Sequence, residues 1–363
     1  MTSQRVVLDC RWLTFTGAGR VVELLLRGFR ESSPSNQWVL WGPPAVEAHA
    51  WPGAEIVVTN SPPNAWRGQR DWARIPKGDL VVFMHQQRPL KTLPSLTTIL
   101  DTTPIQFPDG RLDGWAKARF LRRAAATSLG ILTISEFSRR CIETELAVAR
   151  DKIIVLGLPA DRQLAERVMA LRATVPRREV ALYLGLFLRH KNLPRLIEAF
   201  GRSAFRSLGG RLLLVGGKDG AAGLEAGLNE EQRSYVEIRP RCTQAEVEEL
   251  LASSRFLVQP SLVEGFGLPV WEALASGLPV CVSDGGALPE ITRGLAEHFP
   301  ATSVEAMSSA IDRCAVTARA MGPGDDRRLS WRLLAQAPTV ADFAHQFDTI
   351  VGRYLRQLAG QRP

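Results

Sequence analysis

The sequence predicts an α/β protein with two doubly wound parallel sheets, and three observations carry that prediction. Short apolar runs alternate with helical periodicity over most of the chain, as strands covered on both faces by crossover helices require. Its 363 residues favour two domains, and 45% hydrophobic content is enough for two cores. The runs also fall into two successive sets, separated by the polar, arginine-rich stretch 161–178.

The first set runs Val6 to Cys10, Trp38 to Trp41, Ile56 to Thr59, Leu80 to Met84, Thr97 to Asp101, Leu129 to Ile134 and Ile153 to Leu156. Val21, Val22, Leu24, Leu25 and Phe29 mark an amphipathic helix after the first strand. The second set runs Ala181 to Leu186, Arg211 to Val215, Tyr235 to Ile238, Phe256 to Gln259 and Pro279 to Ser283. Thr243 and Glu246 form a capping box that opens a helix over 245–253. Val340, Phe343, Phe347, Ile350, Tyr354 and Leu358 recur at steps of three and four, describing a long terminal helix. Its apolar face fits either domain, so it can cross back to the first. The expected domains are therefore 1–174 and 175–339, with the helix 340–363 closing the chain.

A net charge of +8, mostly from arginine, points to anionic partners such as nucleotide diphosphates, lipid head groups or nucleic acid. Five cysteines (Cys10, Cys141, Cys242, Cys281, Cys314) are widely spaced and never in a C-x-x-C pair, which argues against a disulfide framework or a zinc site. A reducing cytoplasm fits this usage. The first predicted strand follows Met1 too closely for a signal peptide, and no apolar run nears the ~20 residues of a membrane span.

The segment with the most chemistry is Glu264-Gly265-Phe266-Gly267-Leu268-Pro269-Val270-Trp271-Glu272. It links the Phe256 to Gln259 strand to a helix over 268–276 that ends at Gly277. Parallel sheets bind ligands at strand C-terminal edges, and the first turn of such a helix offers unpaired N–H groups to a phosphate. Glu264 in the loop and Glu272 in the helix are thereby placed to hold hydroxyls on either side of a diphosphate. Arg189 and Lys191 follow another strand and precede a helix over 194–200, at the same kind of edge. They either neutralise a diphosphate or form a solvated basic turn.

Gly17 and Gly19, between the first strand and its helix, let backbone approach a ligand or serve only a tight turn. Asp101 ends an apolar strand, where a carboxylate accepts a proton, holds a hydroxyl or caps the next helix. His85 also ends a strand, but without a visible partner it reads as structural. Trp115 to Arg123 is basic with interleaved aromatics; it fits a peripheral contact with an anionic membrane surface, or an ordinary exposed helix face.

Together these segments resemble the retaining glycosyltransferases of the GT-B fold, family 4 (group 1) type. The resemblance rests on the glycine loop Thr16-Gly17-Ala18-Gly19-Arg20, on Thr133-Ile134-Ser135-Glu136-Phe137-Ser138, on Lys191-Asn192-Leu193, and above all on Glu264 to Val280 continued by Leu288-Pro289-Glu290. It implies two Rossmann-like domains facing each other across a cleft that binds a nucleotide diphosphate sugar. By position, Glu264 would contact sugar hydroxyls, Glu272 the ribose, and Lys191 or Arg189 the diphosphate. The amides of Gly265, Phe266, Gly267 and Leu268 would complete the anion site, approached by Gly17 and Gly19. Three positions depart from the family pattern: Leu100 stands where many members have histidine, Leu186 where many have arginine, and His190 where arginine often precedes the lysine.

The implied activity is transfer of a hexose-type sugar to a hydroxyl of a glycan, lipid-linked or small-molecule acceptor. Neither a metal nor another cofactor is expected; the donor is a co-substrate, and nucleic acid is not an expected partner. Glu264, Lys191 and Asp101 are the candidate catalytic residues. A nucleotide-sugar epimerase or phosphorylase, and a non-catalytic binding protein using the positive charge, are the alternatives at this point.

Overall fold

The computed structural model describes residues 4–14, 17–60, 74–88, 93–108, 110–217 and 220–360. They form two compact units, one of residues 1–159 with 338–363, the other of residues 160–337. The predicted α/β class holds in both.

The first unit has strands β1 (Arg5–Asp9), β2 (Gln37–Gly42), β3 (Glu55–Val58), β4 (Leu80–Phe83), β5 (Ser95–Thr98), β6 (Gly130–Thr133) and β7 (Ile153–Val155). All pairings are parallel, in the order β3-β2-β1-β4-β5-β6-β7, with Val7 opposite Val39 on one side and Val81 on the other. Burial on both faces explains the unbroken Val6-Val7-Leu8 run. The strand expected at 97–101 lies earlier, because Asp101 leaves the sheet to start a turn: its Oδ1 accepts from Thr103 N at 2.9 Å.

The terminal helix Val340–Gly360 does cross back, packing on the helix Ala18–Ser32 of the first unit. Gly28 makes the close approach possible, since a Cβ there would fall 2.0 Å from the Val340 carbonyl oxygen. Phe347 meets Phe29 and Trp38 in the same layer. Asp348 fastens the helix: its carboxylate accepts from Ser35 N, Ser35 Oγ, Asn36 Nδ2 and Trp38 Nε1 at 2.6–2.9 Å. Burial pushes its carboxyl up, but these donors outweigh that and hold it below the usual carboxylate range.

The second unit has strands β8 (Val180–Leu184), β9 (Arg211–Val215), β10 (Val236–Arg239), β11 (Phe256–Gln259), β12 (Val280–Ser283) and β13 (Glu297–Phe299), ordered β10-β9-β8-β11-β12-β13 and parallel throughout. β13 was not foreseen, because three residues containing Glu297 and His298 carry no alternation to read. The Thr243–Glu246 capping box forms as expected. The helix Arg162–Arg172 sits in this unit, where Arg167 pairs with Glu248 at 2.8 Å and Arg172 donates to the Leu251 and Ala252 carbonyls at 2.9 and 3.1 Å. Among the described residues no helix is long and apolar enough to cross a membrane.

Candidate functional site

In the second unit the chain leaves β8 towards β9 and β10 on one side, and leaves β11 towards β12 and β13 on the other. Loops from these neighbouring strands therefore part at their C-terminal ends and open a crevice. Lys191 comes from the first loop and Glu264 from the second.

The first loop turns through Arg189–Lys191 into the helix Leu193–Gly201. Asn192 joins them at φ 59°, a left-handed conformation that Asn tolerates better than most residues. Its buried amide donates to the carbonyls of Pro260 at 3.0 Å and Ala301 at 2.7 Å, tying this turn to the segments that follow β11 and β13. Leu262 N completes the tie by donating to the His190 carbonyl at 2.8 Å. Arg189 stands exposed at the head of the turn. His190 is half-buried, and burial followed by the neighbouring Lys191 charge pulls its imidazole down to about 4, so it is neutral near pH 7.

Glu264 is only 9% exposed, and three donors converge on its Oε1: Lys191 Nζ, Gln259 Nε2 and Ser261 Oγ, each at 2.7 Å. Burial raises its carboxyl, but the lysine charge and the hydrogen bonds more than offset this and keep it below the ordinary value. The group is therefore an anion at neutral pH. Its backbone is clamped from behind. Ala287 N donates to the Glu264 carbonyl at 2.9 Å and Ser283 Oγ to the Ser261 carbonyl at 2.5 Å. Gly286, at φ 70°, passes so near that a Cβ would lie 2.4 Å from Glu264 N.

Beyond Glu264 the loop enters the helix Leu268–Ala275 through Gly267, at φ 100°. Phe266 is buried edge-on against Trp271, their centroids 5.5 Å apart. The amides of Val270 and Trp271 already donate to the Gly267 carbonyl. Among the described residues the amides of Phe266, Gly267 and Leu268 donate to no carbonyl or side chain, which leaves them for an anion. Gly265 is buried beside them, and Glu272 lies half-buried further along the helix.

The structure thus gathers Lys191, Glu264, Gly265, Phe266, Gly267, Leu268 and Glu272 onto adjoining loops of one sheet edge, with Arg189 on the same turn as Lys191. Gln259, Ser261, Ser283, Gly285 and Gly286 were not anticipated as its supports. Their signal was faint: polar residues that end apolar strands, and a glycine pair after one of them. Two surface recesses of about 360 and 570 Å³ lie elsewhere in the unit and involve none of these residues.

Gly17, Gly19 and Asp101 belong to the first unit. Gly17 precedes its helix at φ 69°, exposed, with open space where a side chain would be. Gly19 faces its own chain, since a Cβ would meet the Trp12 carbonyl oxygen at 2.5 Å. Phe15 and Thr16 lie outside the described residues. Asp101 makes the cap-like contact to Thr103 N already described. In the Thr133 to Ser138 element, Ser135 caps its helix by accepting from Ser138 N at 3.0 Å. The first unit's own strand divergence, between β1 and β4, is filled differently. Arg11 and Asp9 form a buried bidentate pair at 2.7–2.8 Å with the guanidinium over Trp41, and His85 stacks on Trp12 at 3.9 Å. Burial pulls the His85 imidazole down to about 3.

Residues 172–315 match the profile of the family "Glycosyl transferases group 1". The O-antigen chain mannosyltransferase B of Escherichia coli is 26% identical over 59% of this chain and 61% of its own. The MMP alpha-(1->4)-mannosyltransferase of Mycolicibacterium hassiacum is 30% identical over 47% of this chain and 40% of its own. The chain thus spans less than two thirds of these relatives' length. Among solved structures, Anabaena HepE in complex with UDP and glucose superposes with a TM-score of 0.71 at 15% identity, covering 96% of this chain and 99% of that one. A glycosyltransferase from Rickettsia africae gives 0.68 at 13% identity, with 100% of both chains covered. At such identities the likeness establishes architecture. The family model thus matches within the second unit, and the two parallel-sheet units together have the GT-B fold.

Proposed function

We propose that this protein transfers a hexose-type sugar from a nucleotide diphosphate sugar to a hydroxyl of a glycan, lipid-linked or small-molecule acceptor, with retention at the anomeric carbon and without a metal. The assembly of a cell-surface polysaccharide or glycoconjugate is the setting. The observation that carries this reading is the Lys191–Glu264 pair at the crevice of the second unit, beside three uncommitted amides at the head of a helix. Support also comes from relatives named as mannosyltransferases and from neighbours bound to UDP and to UDP-glucose.

In this mechanism the bond from the anomeric carbon to the diphosphate oxygen breaks while the acceptor oxygen bonds on the same face. The acceptor proton passes to the departing phosphate oxygen. Lys191, Arg189 and the amides of Phe266 to Leu268 stabilise the charge that develops on the diphosphate, in place of a divalent cation. Glu264 holds the sugar hydroxyls, Glu272 the ribose, and Asp101 an acceptor hydroxyl.

Lys191→Ala tests the reading. Transfer should fall more than tenfold, a barrier increase above ~1.4 kcal/mol; a smaller loss would contradict the role. Because the substitution strips a buried carboxylate of its cation, Lys191→Met with Glu264→Gln serves as the folding control. Activity should survive EDTA, and product analysis by NMR should show the donor's anomeric configuration. Restoration by Mg²⁺ of activity lost to EDTA would overturn the metal-free step.

A further inference from the structure

We propose that Gln259 and Ser261 are positioning residues: they engage one oxygen of the Glu264 carboxylate and leave the other, Oε2, as its only contact with the transferred sugar, so that donors are selected through one ring hydroxyl. The inference rests on the transferase reading above, in which Glu264 meets the sugar, and narrows it.

Gln259 is the residue out of place. It ends the strand Phe256–Gln259, whose other members are apolar and wholly buried, and it is itself only 1% exposed. Its amide nitrogen donates to Glu264 Oε1 at 2.7 Å and to Ser261 Oγ at 2.9 Å, which uses both hydrogens. Two acceptors on that side fix which end of the amide is nitrogen. The amide oxygen is left buried with no donor. A leucine or methionine of similar size would strand no polar atom there, so stability alone does not account for a glutamine. A local rule broken in this way is expected at functional sites, and here the nitrogen's grip on Glu264 is what the residue adds.

Ser261 works with it. Its hydroxyl accepts from Gln259 and therefore directs its own hydrogen at Glu264 Oε1, 2.7 Å away. The backbone beneath is braced from two sides, by Asn192 Nδ2 on the Pro260 carbonyl at 3.0 Å and by Ser283 Oγ on the Ser261 carbonyl at 2.5 Å. With Lys191 the two residues place three donors on Oε1. Oε2 accepts from none of the described residues, and the side chain keeps 11% of its surface exposed. When Lys191 turns to a diphosphate, Gln259 and Ser261 still fill both lone pairs of Oε1. The carboxylate then stays fixed and cannot offer both oxygens to neighbouring hydroxyls. Without the pair, a Glu264 released by Lys191 is free to swivel.

The test compares Gln259→Leu, Ser261→Ala and the double variant with wild type. Gln259→Leu should melt no lower than wild type, because it also removes the stranded oxygen. With UDP-glucose and its 2-, 3-, 4- and 6-deoxy analogues as donors, loss of one hydroxyl should lower wild-type kcat/KM at least about a hundredfold and loss of any other less than about tenfold. In the double variant kcat should fall about tenfold, and the preference for that one hydroxyl should shrink by a similar factor. The acid limb of its kcat/KM profile should move to higher pH, since two hydrogen bonds to the charged form are gone. A double variant with the wild-type deoxy profile would overturn the proposal, as would a wild type that depends equally on two hydroxyls. So would a Gln259→Leu that melts far lower yet keeps the profile, which is the mark of a purely structural amide. If wild type neither transfers nor hydrolyses UDP-glucose, the transferase reading fails for that donor, and crystal structures of wild type and double variant with UDP still decide the positioning. Glu264 should turn from its wild-type orientation in the variant; an unmoved carboxylate would overturn the role whatever the activity.

Discussion

The two units share a winding order yet fill the same topological position with opposite chemistry. In the first, the strands that part are β1 and β4, and between them stand a self-neutralised Asp9–Arg11 pair and a neutral His85 stacked on Trp12. In the second, β8 and β11 part around a lysine and a glutamate drawn from different loops, next to amides that donate to none of the described residues. Topology supplies a crevice in each case; the loops decide whether it is sealed or left with capacity for an anion. In the Asp9–Arg11 pair both fork nitrogens meet both carboxylate oxygens, so an incoming ligand would have to break a satisfied buried pair. The Lys191–Glu264 contact uses one carboxylate oxygen and one ammonium, leaving donors and an acceptor to exchange.

The largest expected effect that would sharpen this contrast is Glu264→Gln. It keeps the volume and removes the charge that Lys191, Gln259 and Ser261 converge upon. Transfer should fall at least ~100-fold, about 2.7 kcal/mol of barrier, in a kinetic assay with the donor. Asp9→Asn in the first unit should instead register mainly in thermal melting. An Asp9→Asn variant with full stability and no transfer would erase the distinction between a structural and a functional pair.

Next in size is Gly286→Ala. The residue sits at φ 70°, and the new Cβ would press on Glu264 N from 2.4 Å and on its carbonyl oxygen from 2.3 Å. Strain and overpacking together should cost about 2–4 kcal/mol. Transfer should also drop, because the shifted backbone carries Glu264. A chemical denaturation curve and the donor assay on one preparation would check both effects.

Glu264 to Glu272 was legible because its glycines, its proline and its paired acids lie in one contiguous stretch with a strand before it and a helix after. Lys191 was legible as a cation at a strand edge, but not as Glu264's partner: 73 positions separate the two residues, and only the pairing of β8 with β11 brings them together. Gln259 was read as the end of a strand and Ser261 was not singled out, since nothing in an apolar run tells which polar side chain turns towards a loop. Gly19 carried the reverse ambiguity. Its missing side chain suits a ligand or a turn equally well in sequence, and here the turn's own carbonyls take the space. β13 was invisible because a three-residue edge strand has no period.

A third measurement tests whether the units' stabilities separate. Asp348 anchors the terminal helix to the first unit through four donors, so Asp348→Ala strands buried donors at Ser35, Asn36 and Trp38. The cost should be about 3 kcal/mol, seen as a lowered melting temperature. UDP binding, which the proposed function assigns to the second unit, should be retained at temperatures below the transition. A proportional loss of binding at low temperature would mean that the terminal helix supports the donor loops.

The smallest effect at neutral pH belongs to His85, and its sign follows from linkage. Burial pulls the folded imidazole down to about 3, whereas an unfolded one titrates near 6.5, as an ordinary histidine does. Between those values the unfolded chain binds a proton that the folded chain refuses, so the folded state loses stability as pH falls from about 6.5 towards 3. Above 6.5 the term is fully present and constant. His85→Gln removes it: the variant should melt close to wild type at pH 8, apart from the loss of the Trp12 stack, and show a shallower decline in acid. Glu264 and Asp348, both held below the ordinary carboxyl range, contribute further losses in acid as pH falls through their own folded values, in wild type and variant alike. The difference between the two melting curves therefore isolates the histidine. Parallel curves from pH 7 to 4 would show that the Trp12–His85 stack admits a proton, and that the first unit's strand divergence is less completely sealed than its geometry indicates.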